Sequence, residues 1–325
     1  MSEQGKVALY CAGGTGTNIG MQFVNLPTQS KGFAALVPYF IDTSRSNLKA
    51  DVPADSIYIV KGASERDGSG MKRNENYGQI RESVKDMLLK HKPLDLNVVV
   101  FSLAGGSGSV CGPLIARELL MRGHAVVVVA IGSDESVKAA RNTMDTLESL
   151  DGISANTGRP LPVFYRHNQR SRPQSDVDGA AMQAIAQLSI LASRQINSLD
   201  VSDVFNFLNY DRVTDVKPAV ASLEVYTTDT EDLKGSRPVT MISIYPDKDA
   251  PRQEVVPDYL VTGYGDINLN GSKEAHYVIE VDKPARWFNN IKNTIASLEE
   301  AAAARPQQTR LQSGNGETDD FGMKC

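Results

Sequence analysis

The chain has 325 residues, a net charge of −5, 41% hydrophobic residues and 22% charged residues. This balance is typical of a folded globular protein, and an acidic chain is not expected to bind nucleic acid directly. The longest uninterrupted apolar run, Ala125–Ile131, has seven residues. A membrane-spanning helix needs about 20 residues, so we expect no membrane partner.

The few cysteines indicate a reducing compartment. Their number is odd, with Cys11, Cys111 and Cys325, which argues against a disulfide framework. The first six residues carry no apolar secretory segment, and the four histidines lack the spacing of a zinc site. We therefore expect a cytoplasmic protein whose own side chains do not form a metal centre.

Short apolar segments alternate with amphipathic ones in the first half of the chain. Strands are predicted over residues 6–11, 36–42, 57–61, 97–103, 125–131 and 162–165. Helices are predicted over residues 17–26, 77–90, 113–121 and 137–150. The Val-rich strands are typical of parallel strands covered on both faces. The alternation therefore predicts an α/β fold with a doubly wound, mostly parallel sheet.

The pattern changes after a long amphipathic helix that is predicted over residues 178–197. Strands with a period of two follow at 220–227, 239–245, 259–263 and 277–281, and a terminal helix at 287–304. Residues beyond Arg305 are polar and acidic and bury too little apolar surface to fold alone. We expect a first domain over 1–177, a central connecting helix over 178–198, a smaller α+β domain over 199–285 and a C-terminal helix and acidic tail over 286–325.

Two glycine-rich segments follow predicted strands and lead into predicted helices. The first contains Gly13, Gly14, Thr15, Gly16 and Asn18. The second consists of Ala104, Gly105, Gly106, Ser107, Gly108 and Ser109, whose serines are expected to add hydroxyl donors. Glycines let the backbone approach a phosphate, and a helix N-terminus offers free N–H groups. Because the carboxyl ends of parallel strands share one edge, both segments are expected to hold one polyphosphate.

Two other nucleotide sites are less consistent with the sequence. The motif Gly-x-x-x-x-Gly-Lys-Ser/Thr is absent, which argues against a P-loop enzyme. The spacing of Gly14, Gly16 and Gly20, with Asp42 further on, leaves open a monomeric NAD-dependent oxidoreductase with a variant dinucleotide-binding loop. That alternative gives residues 105–109 no role. A nucleotide-binding adaptor without catalysis also remains open.

Residues 104–109 resemble the glycine-rich signature loop of the tubulin superfamily, Gly-Gly-Gly-Thr-Gly-Ser. Ala104 replaces the first glycine and Ser107 replaces the threonine. The similarity extends from about residue 6 to about residue 300 and is greatest to the bacteriophage-encoded tubulins. It implies a tubulin-like GTPase domain that binds GTP or GDP with Mg²⁺ and a protein that polymerises head to tail with itself.

The resemblance also implies roles for residues outside the signature loop. The first glycine segment matches the family's first phosphate loop, and Asp42 matches a position near magnesium-bound water. A loop that senses the γ-phosphate is matched by Gly68, Ser69 and Gly70, which would otherwise be read as a surface loop. Contacts to the ribose are implied for Glu135 and Arg141, and contacts to guanine for Asn168 and Asp178.

Asp178 has two interpretations. A carboxylate accepts two hydrogen bonds from the N1–H and amino groups of guanine, and adenine presents no such pair of donors. The family usually has Asn at this position. The plainer interpretation is that Asp178 caps the central helix.

Asp200 and Asp203 lie in a segment, Asn197–Val204, that resembles the family's catalytic loop. In the family this loop enters the nucleotide pocket of the neighbouring subunit, where a carboxylate can orient the water that attacks the γ-phosphate. On their own, acids at these positions are also typical of a helix start. The resemblance favours catalysis in trans, so that GTP hydrolysis depends on assembly.

The acidic tail offers a further contact with a neighbouring subunit. Glu317, Asp319 and Asp320 are expected to reach basic residues there, with Phe321 as an apolar anchor, or else to form a solvated tail. The resemblance implies a dynamic, spindle-like filament array that positions phage DNA in the cytoplasm of the infected bacterium.

Overall fold

A computed structural model describes residues 4–24, 32–48, 52–61, 71–74, 76–227, 233–265 and 272–304. Within these residues, ten strands form one sheet in the order β3-β2-β1-β4-β5-β6-β7-β10-β8-β9. The strands are β1 (Lys6–Ala12), β2 (Ala35–Asp42), β3 (Ile57–Ile59), β4 (Leu96–Ser102), β5 (Val126–Ser133), β6 (Leu161–Asn168), β7 (Val220–Tyr226), β8 (Thr240–Tyr245), β9 (Tyr259–Tyr264) and β10 (Ala275–Glu280).

Helices cover both faces of this sheet. They are α1 (Gly13–Gly20), α2 (Tyr77–Lys90), α3 (Gly108–Met121), α4 (Val137–Thr157), α5 (Gln174–Leu191), α6 (Val201–Leu208) and α7 (Lys283–Ala303). Apolar residues of α1, α5 and α6 pack in one core cluster, and those of α2, α3 and α4 pack in a second cluster on the other face. The prediction of a doubly wound α/β sheet is confirmed. In the order in which they lie in the sheet, the six strands β3, β2, β1, β4, β5 and β6 all pair in parallel with their neighbours.

The strands of the second half continue the same sheet. β7 pairs in parallel with β6, β10 lies antiparallel between β7 and β8, and β9 pairs in parallel with β8. Arg166 of β6 and Glu224 of β7 form a two-pronged ion pair with N–O distances of 2.9 and 3.1 Å. The two halves of the chain therefore share hydrogen-bonded strands.

The central helix differs from its predicted position. α5 begins at Gln174, directly after Pro173, and ends at Leu191, where residues 178–198 were expected. The chain then turns through Arg194 and Ser198, whose φ angles of 61° and 62° are left-handed. Asp178 lies in the second turn of α5, so its interpretation as a helix cap is wrong. The apolar pattern that predicts this helix begins only at Val177, and the polar residues of its first turn do not indicate a helix.

No helix among the described residues is long and apolar enough to cross a membrane. The same residues contain no group of three or more His, Cys, Asp or Glu side chains arranged for a metal ion. Cys11 and Cys111 are unpaired and buried. Burial raises the pKa of both thiols, which keeps them protonated at neutral pH.

Candidate functional site

The two glycine segments lie against each other at the carboxyl ends of β1 and β4. A Cβ atom at Gly13 would stand 2.7 Å from the amide nitrogen of Gly108, and one at Gly108 would stand 2.8 Å from the carbonyl oxygen of Ala12. Gly13 also has a φ of +69°, a conformation that side chains disfavour. Glycine is therefore required at this contact, and it brings the N-termini of α1 and α3 together.

A buried polar cluster joins the end of β2 to the second glycine segment. The hydroxyls of Thr43 and Ser107 lie 2.7 Å apart. Asp42 is only 3% exposed, and its carboxylate accepts hydrogen bonds from the Thr43 amide at 2.7 Å and from Nδ2 of Asn47 at 3.2 Å. Asn47 also borders Gly14 of the first segment. Thr43 and Asn47 thus link Asp42 to both glycine segments, and Asn47 is a residue that the sequence analysis missed.

Ser109 is a correction to the predicted hydroxyl donors. Its side chain is fully buried and donates to the carbonyl oxygens of Gly105 and Gly106, at 2.6 and 3.1 Å. The hydroxyl therefore shapes the loop from within and is not offered to a ligand. The backbone at Gly105 is more open than at Gly13 and Gly108. The atom nearest to an added Cβ there would be the carbonyl oxygen of Ser102, at an ordinary contact distance of 3.8 Å.

A second part of the site lies at the ends of β5 and β6, where Ser133 and Asn168 are paired in register. Oδ1 of Asn168 is buried and has no hydrogen-bond partner among the described residues. Glu135 accepts a hydrogen bond on its carboxylate from Gln174 at 2.8 Å and another on its carbonyl oxygen from Arg170 at 2.7 Å. A buried acceptor without a partner is costly, which marks this end of the site as a place for a polar ligand.

The segment after β5 is also held from the other face of the sheet. Nε2 of His167 lies 3.3 Å from Oδ2 of Asp134, and Nδ1 of His167 lies 2.8 Å from the hydroxyl of Tyr165. Burial lowers the pKa of His167, which favours the neutral imidazole. The ring of Tyr165 contacts Trp287 of α7, with 4.9 Å between the ring centroids.

The remaining predicted residues differ in how they relate to this group. Arg141 is directed to α7, where its guanidinium donates to Glu299 at 2.6 and 2.9 Å, so the predicted ribose contact is not supported by its position. Asp178 lies on α5 and is partly buried, and this burial raises the pKa of its carboxyl. Gly68, Ser69 and Gly70 lie outside the described residues.

Asp200 and Asp203 lie at the opposite ends of the strands from the glycine segments. They cap α6 reciprocally, because the carboxylate of Asp200 accepts from the Asp203 amide at 2.9 Å and that of Asp203 accepts from the Asp200 amide at 3.0 Å. Asp200 borders an apolar hollow that also contains Asp95 and Leu96, at the amino end of β4. A strand of this length spans about 20 Å, so both acids are far from the glycine segments of the same molecule.

The residues present fit a nucleoside polyphosphate. Two adjacent helix N-termini and an open glycine backbone suit the phosphates. The buried Oδ1 of Asn168 suits a hydrogen-bond donor of a base at the other end of the group. Among the described residues, no hydrogen bond joins Asp200 or Asp203 to this group.

Comparison with known proteins agrees with this arrangement. Residues 6–155 match the model of the Tubulin/FtsZ family, GTPase domain, and residues 199–281 match that of the phage tubulin-like protein, C-terminal domain. The chain is 30% identical to the phage tubulin-like protein of Pseudomonas phage PhiPA3, over 97% of this chain and 98% of that protein.

Two solved structures share the fold over almost the whole chain. One is the phage tubulin PhuZ with GDP, with a TM-score of 0.84 and 25% identity over 98% of this chain and 99% of that one. The other is the PhuZ201 filament, with a TM-score of 0.82, 25% identity and the same coverage.

Proposed function

We propose, from the premise that this chain belongs to the phage tubulin-like proteins of the Tubulin/FtsZ family, that it hydrolyses GTP between the subunits of a head-to-tail filament. In this proposal the glycine segments of one subunit hold the phosphates. Asp200 and Asp203 come from the neighbour and complete the site. GTP is the substrate and GDP the product that stays in the subunit.

The separation of the acids from the glycine segments carries this proposal. Asp200 lines the same hollow as Leu96 at the amino end of β4, whereas Ala104 follows the carboxyl end of the same strand. Subunits stacked along the direction of β4 would bring the amino ends of the strands of one subunit over the carboxyl ends of the strands of the next. A carboxylate that arrives in this way can orient the attacking water, and isolated subunits lack it.

Magnesium would be held with GTP near Asp42. The carboxylate of Asp42 is buried, and its hydrogen-bond partners Thr43 and Asn47 contact Ser107 of the second glycine segment and Gly14 of the first. Carboxylates hold magnesium through one or two direct or water-bridged contacts, with phosphate oxygens as further ligands. The ion would neutralise charge on the phosphates, while Asp42 fixes its position.

Asp178 and Asn168 are proposed to recognise guanine. Replacing Asp178 by alanine is expected to weaken GDP binding about a hundredfold, since two hydrogen bonds to a charged acceptor are lost. With Asp178 present, binding is expected to weaken as pH falls through the raised pKa of its carboxyl, because protonation removes an acceptor. Equilibrium titration with fluorescent GDP across pH measures both effects.

Asp176 provides a matched control for this prediction. It is an exposed acid in the first turn of the same helix, and its replacement by alanine is expected to leave the affinity unchanged. Asp178→Asn is expected to retain part of the affinity and to lose the pH dependence. GDP affinity that is unchanged in Asp178→Ala would contradict the assignment.

The proposed cellular role rests on the family resemblance. It is supported by one solved relative that is named a filament and by a relative in sequence that comes from a Pseudomonas phage. We propose that the chain forms a dynamic, spindle-like filament that positions phage DNA in the host cytoplasm. The tail residues Glu317, Asp319, Asp320 and Phe321 lie outside the described residues, and their contact with a neighbouring subunit stays a proposal.

Phosphate release from GTP, measured against protein concentration, tests the proposed function. Release is expected to begin above a threshold concentration and to coincide with sedimentable polymer, because the neighbour completes the site. Release that rises linearly from the lowest concentrations would contradict catalysis in trans. Binding of NAD(H) in place of guanine nucleotides would instead favour the oxidoreductase alternative.

A further inference from the structure

Helix α6, at whose start Asp200 and Asp203 lie, is fastened to the sheet at its other end. The hydroxyl of Thr240, on β8, donates a hydrogen bond to the carbonyl oxygen of Phe207 at 2.9 Å. The side chain of Phe207 is fully buried in the core on this face of the sheet. A helix of eight residues is too short to be stable on its own, so the position of its start also depends on contacts with the rest of the molecule.

The start of α6 is held by a tyrosine of β9, the strand at the edge of the sheet. The hydroxyl of Tyr259 donates to Oδ1 of Asp203 at 3.4 Å. The backbone amide of Tyr259 donates to the carbonyl oxygen of Val239 at 3.2 Å, which fixes the tyrosine in the sheet. Among the described residues, no side chain other than that of Tyr259 donates a hydrogen bond to either acid.

The two acids are therefore held differently. Asp203 is partly buried, and each of its carboxylate oxygens has its own donor, the Asp200 amide at Oδ2 and the Tyr259 hydroxyl at Oδ1. Asp200 is exposed, and its carboxylate accepts from the Asp203 amide. The orientation of the Asp203 carboxylate is thus set by two donors on different elements, and without the tyrosine hydroxyl it would be set by the backbone of its own helix alone.

The hydroxyl of Tyr259 stays protonated at neutral pH, so it is the donor in this contact. Burial raises the pKa of Tyr259, and the negative charges of Asp203 and Asp200 raise the pKa further. A side-chain hydrogen bond from Asn206, one turn along α6 from Asp203, acts in the opposite direction on the pKa. The hydroxyl is thus in contact with two successive turns of the helix.

We infer that Tyr259 is a positioning residue that holds the carboxylate of Asp203 in the direction in which it meets the nucleotide of the neighbouring subunit. The inference rests on the proposed function, in which the two acids complete the site in trans. A displacement of about 1 Å at a catalytic group can cost about a hundredfold in rate. Hydrogen bonds of catalytic groups are often long before the complete site forms, so the 3.4 Å contact is expected to shorten in the filament.

Replacing Tyr259 by phenylalanine tests this inference, because it removes the hydroxyl and keeps the ring. Phosphate release per sedimented subunit at saturating GTP is expected to fall about fivefold, the effect of one ordinary hydrogen bond, while the amount of polymer stays the same. Release equal to that of the wild type overturns the inference. A folded variant that forms no polymer also overturns it, because a residue that only orients a catalytic acid is not needed for assembly.

An Asp203→Asn background shows whether Tyr259 acts through Asp203. Tyr259→Phe is expected to change the residual release less than twofold there, because the charge that the tyrosine positions has been removed and two residues that act as one unit are not additive. The same fivefold loss in both backgrounds overturns the inference, since Tyr259 would then act independently of that carboxylate. Wild-type release from both Asp200→Asn and Asp203→Asn filaments is a separate outcome, which overturns the proposed catalysis in trans.

Tyr264→Phe is the matched control, because it makes the same change at the other end of β9. The hydroxyl of Tyr264 accepts from Nη2 of Arg252 at 2.8 Å and has no hydrogen bond to either acid. Both phosphate release and the amount of polymer are expected to equal those of the wild type. A fivefold loss of release in this variant as well would show that any missing hydroxyl on β9 disturbs the filament, which overturns the specific role of Tyr259.

Discussion

Replacing Asp200 by asparagine is expected to leave filaments that release phosphate at least about a hundredfold more slowly than the wild type, the usual scale for loss of a group that orients or deprotonates the attacking water. Asparagine caps a helix as well as aspartate does. The start of α6, where Asp200 accepts from the Asp203 amide, therefore persists in the variant. Only the negative charge is removed, so assembly and catalysis separate.

Asp200→Ala removes the cap and the charge together, and it is expected to cost about 1 kcal/mol of folding stability in addition. Asp203→Asn tests the reciprocal partner, whose carboxylate accepts from the Asp200 amide. Asp215→Asn, an exposed acid further along the same half of the chain, is the control with the same charge change. Wild-type turnover in both Asp200→Asn and Asp203→Asn filaments would leave these acids with a capping role only.

The measurement compares phosphate release per sedimented subunit, so that a change in the amount of polymer does not count as a change in catalysis. The reciprocal cap also orients the two carboxylates for catalysis. Each acid holds the backbone of the other, which fixes both carboxylates at the start of α6 before any neighbour arrives. An acid that is already oriented loses little freedom when it meets the adjacent subunit.

The sheet was predictable because its strands are extreme in composition. Five of the seven residues in 97–103 and five of the seven in 125–131 are Val, Leu, Ile or Phe, and both segments overlap strands that are buried on both faces. The same apolar composition predicts the strand β4, which ends just before the second glycine segment. The order of the strands in the second half was not predictable, since period-2 patterns do not say which neighbour a strand chooses.

The helix start at Gly108 shows where local propensity fails. The sequence analysis places this helix at 113–121, and the Gly and Ser residues that precede it are poor helix formers. In the structure the helix begins five residues earlier, at a place where Gly108 packs on Ala12 and no side chain fits. Tertiary contact with the first glycine segment therefore outweighs the propensity of the residues.

Asn142, whose side chain donates to the carbonyl oxygen of Ala104 in the second glycine segment, was missed for a related reason. The sequence analysis predicts the helix over 137–150 from its apolar positions and gives no role to the polar residues between them. Asn142, Thr143 and Thr146 are instead buried against the loops of the site. The available signal was that three small or amide side chains, each able to bond to backbone, cluster within one turn and a half.

Replacing Gly13 by alanine is expected to destabilise the protein by about 3 kcal/mol and to abolish guanine nucleotide binding. A left-handed φ of +69° costs a non-glycine residue about 1–2 kcal/mol. The new Cβ would also stand 2.7 Å from the amide nitrogen of Gly108, an overlap with backbone whose relief costs about 1–3 kcal/mol. Chemical denaturation and a GDP titration measure the two effects.

Gly152→Ala separates this steric effect from the general effect of adding a methyl group. Gly152 lies inside α4, and no described atom beyond its chain neighbours and the backbone of its own helix stands within 4 Å of an added Cβ. Alanine is expected to raise stability there by about 0.5–1 kcal/mol, since glycine weakens a helix interior, and to leave GDP affinity unchanged. If Gly13→Ala were as stable as the wild type, the two glycine segments would not be in the contact described here.

The overlap at Gly13 can be relieved only by a movement of the backbone in one direction. This explains why the substitution is expected to abolish nucleotide binding in addition to lowering stability. Both atoms that would be displaced are backbone atoms of Gly108 at the N-terminus of α3, and they cannot rotate away as a side chain does. The N-terminus of α3 must therefore move away from that of α1. The two sets of N–H groups then no longer converge on one polyphosphate, so saturating GDP is expected to raise the unfolding temperature of the wild type and of Gly152→Ala but not that of Gly13→Ala.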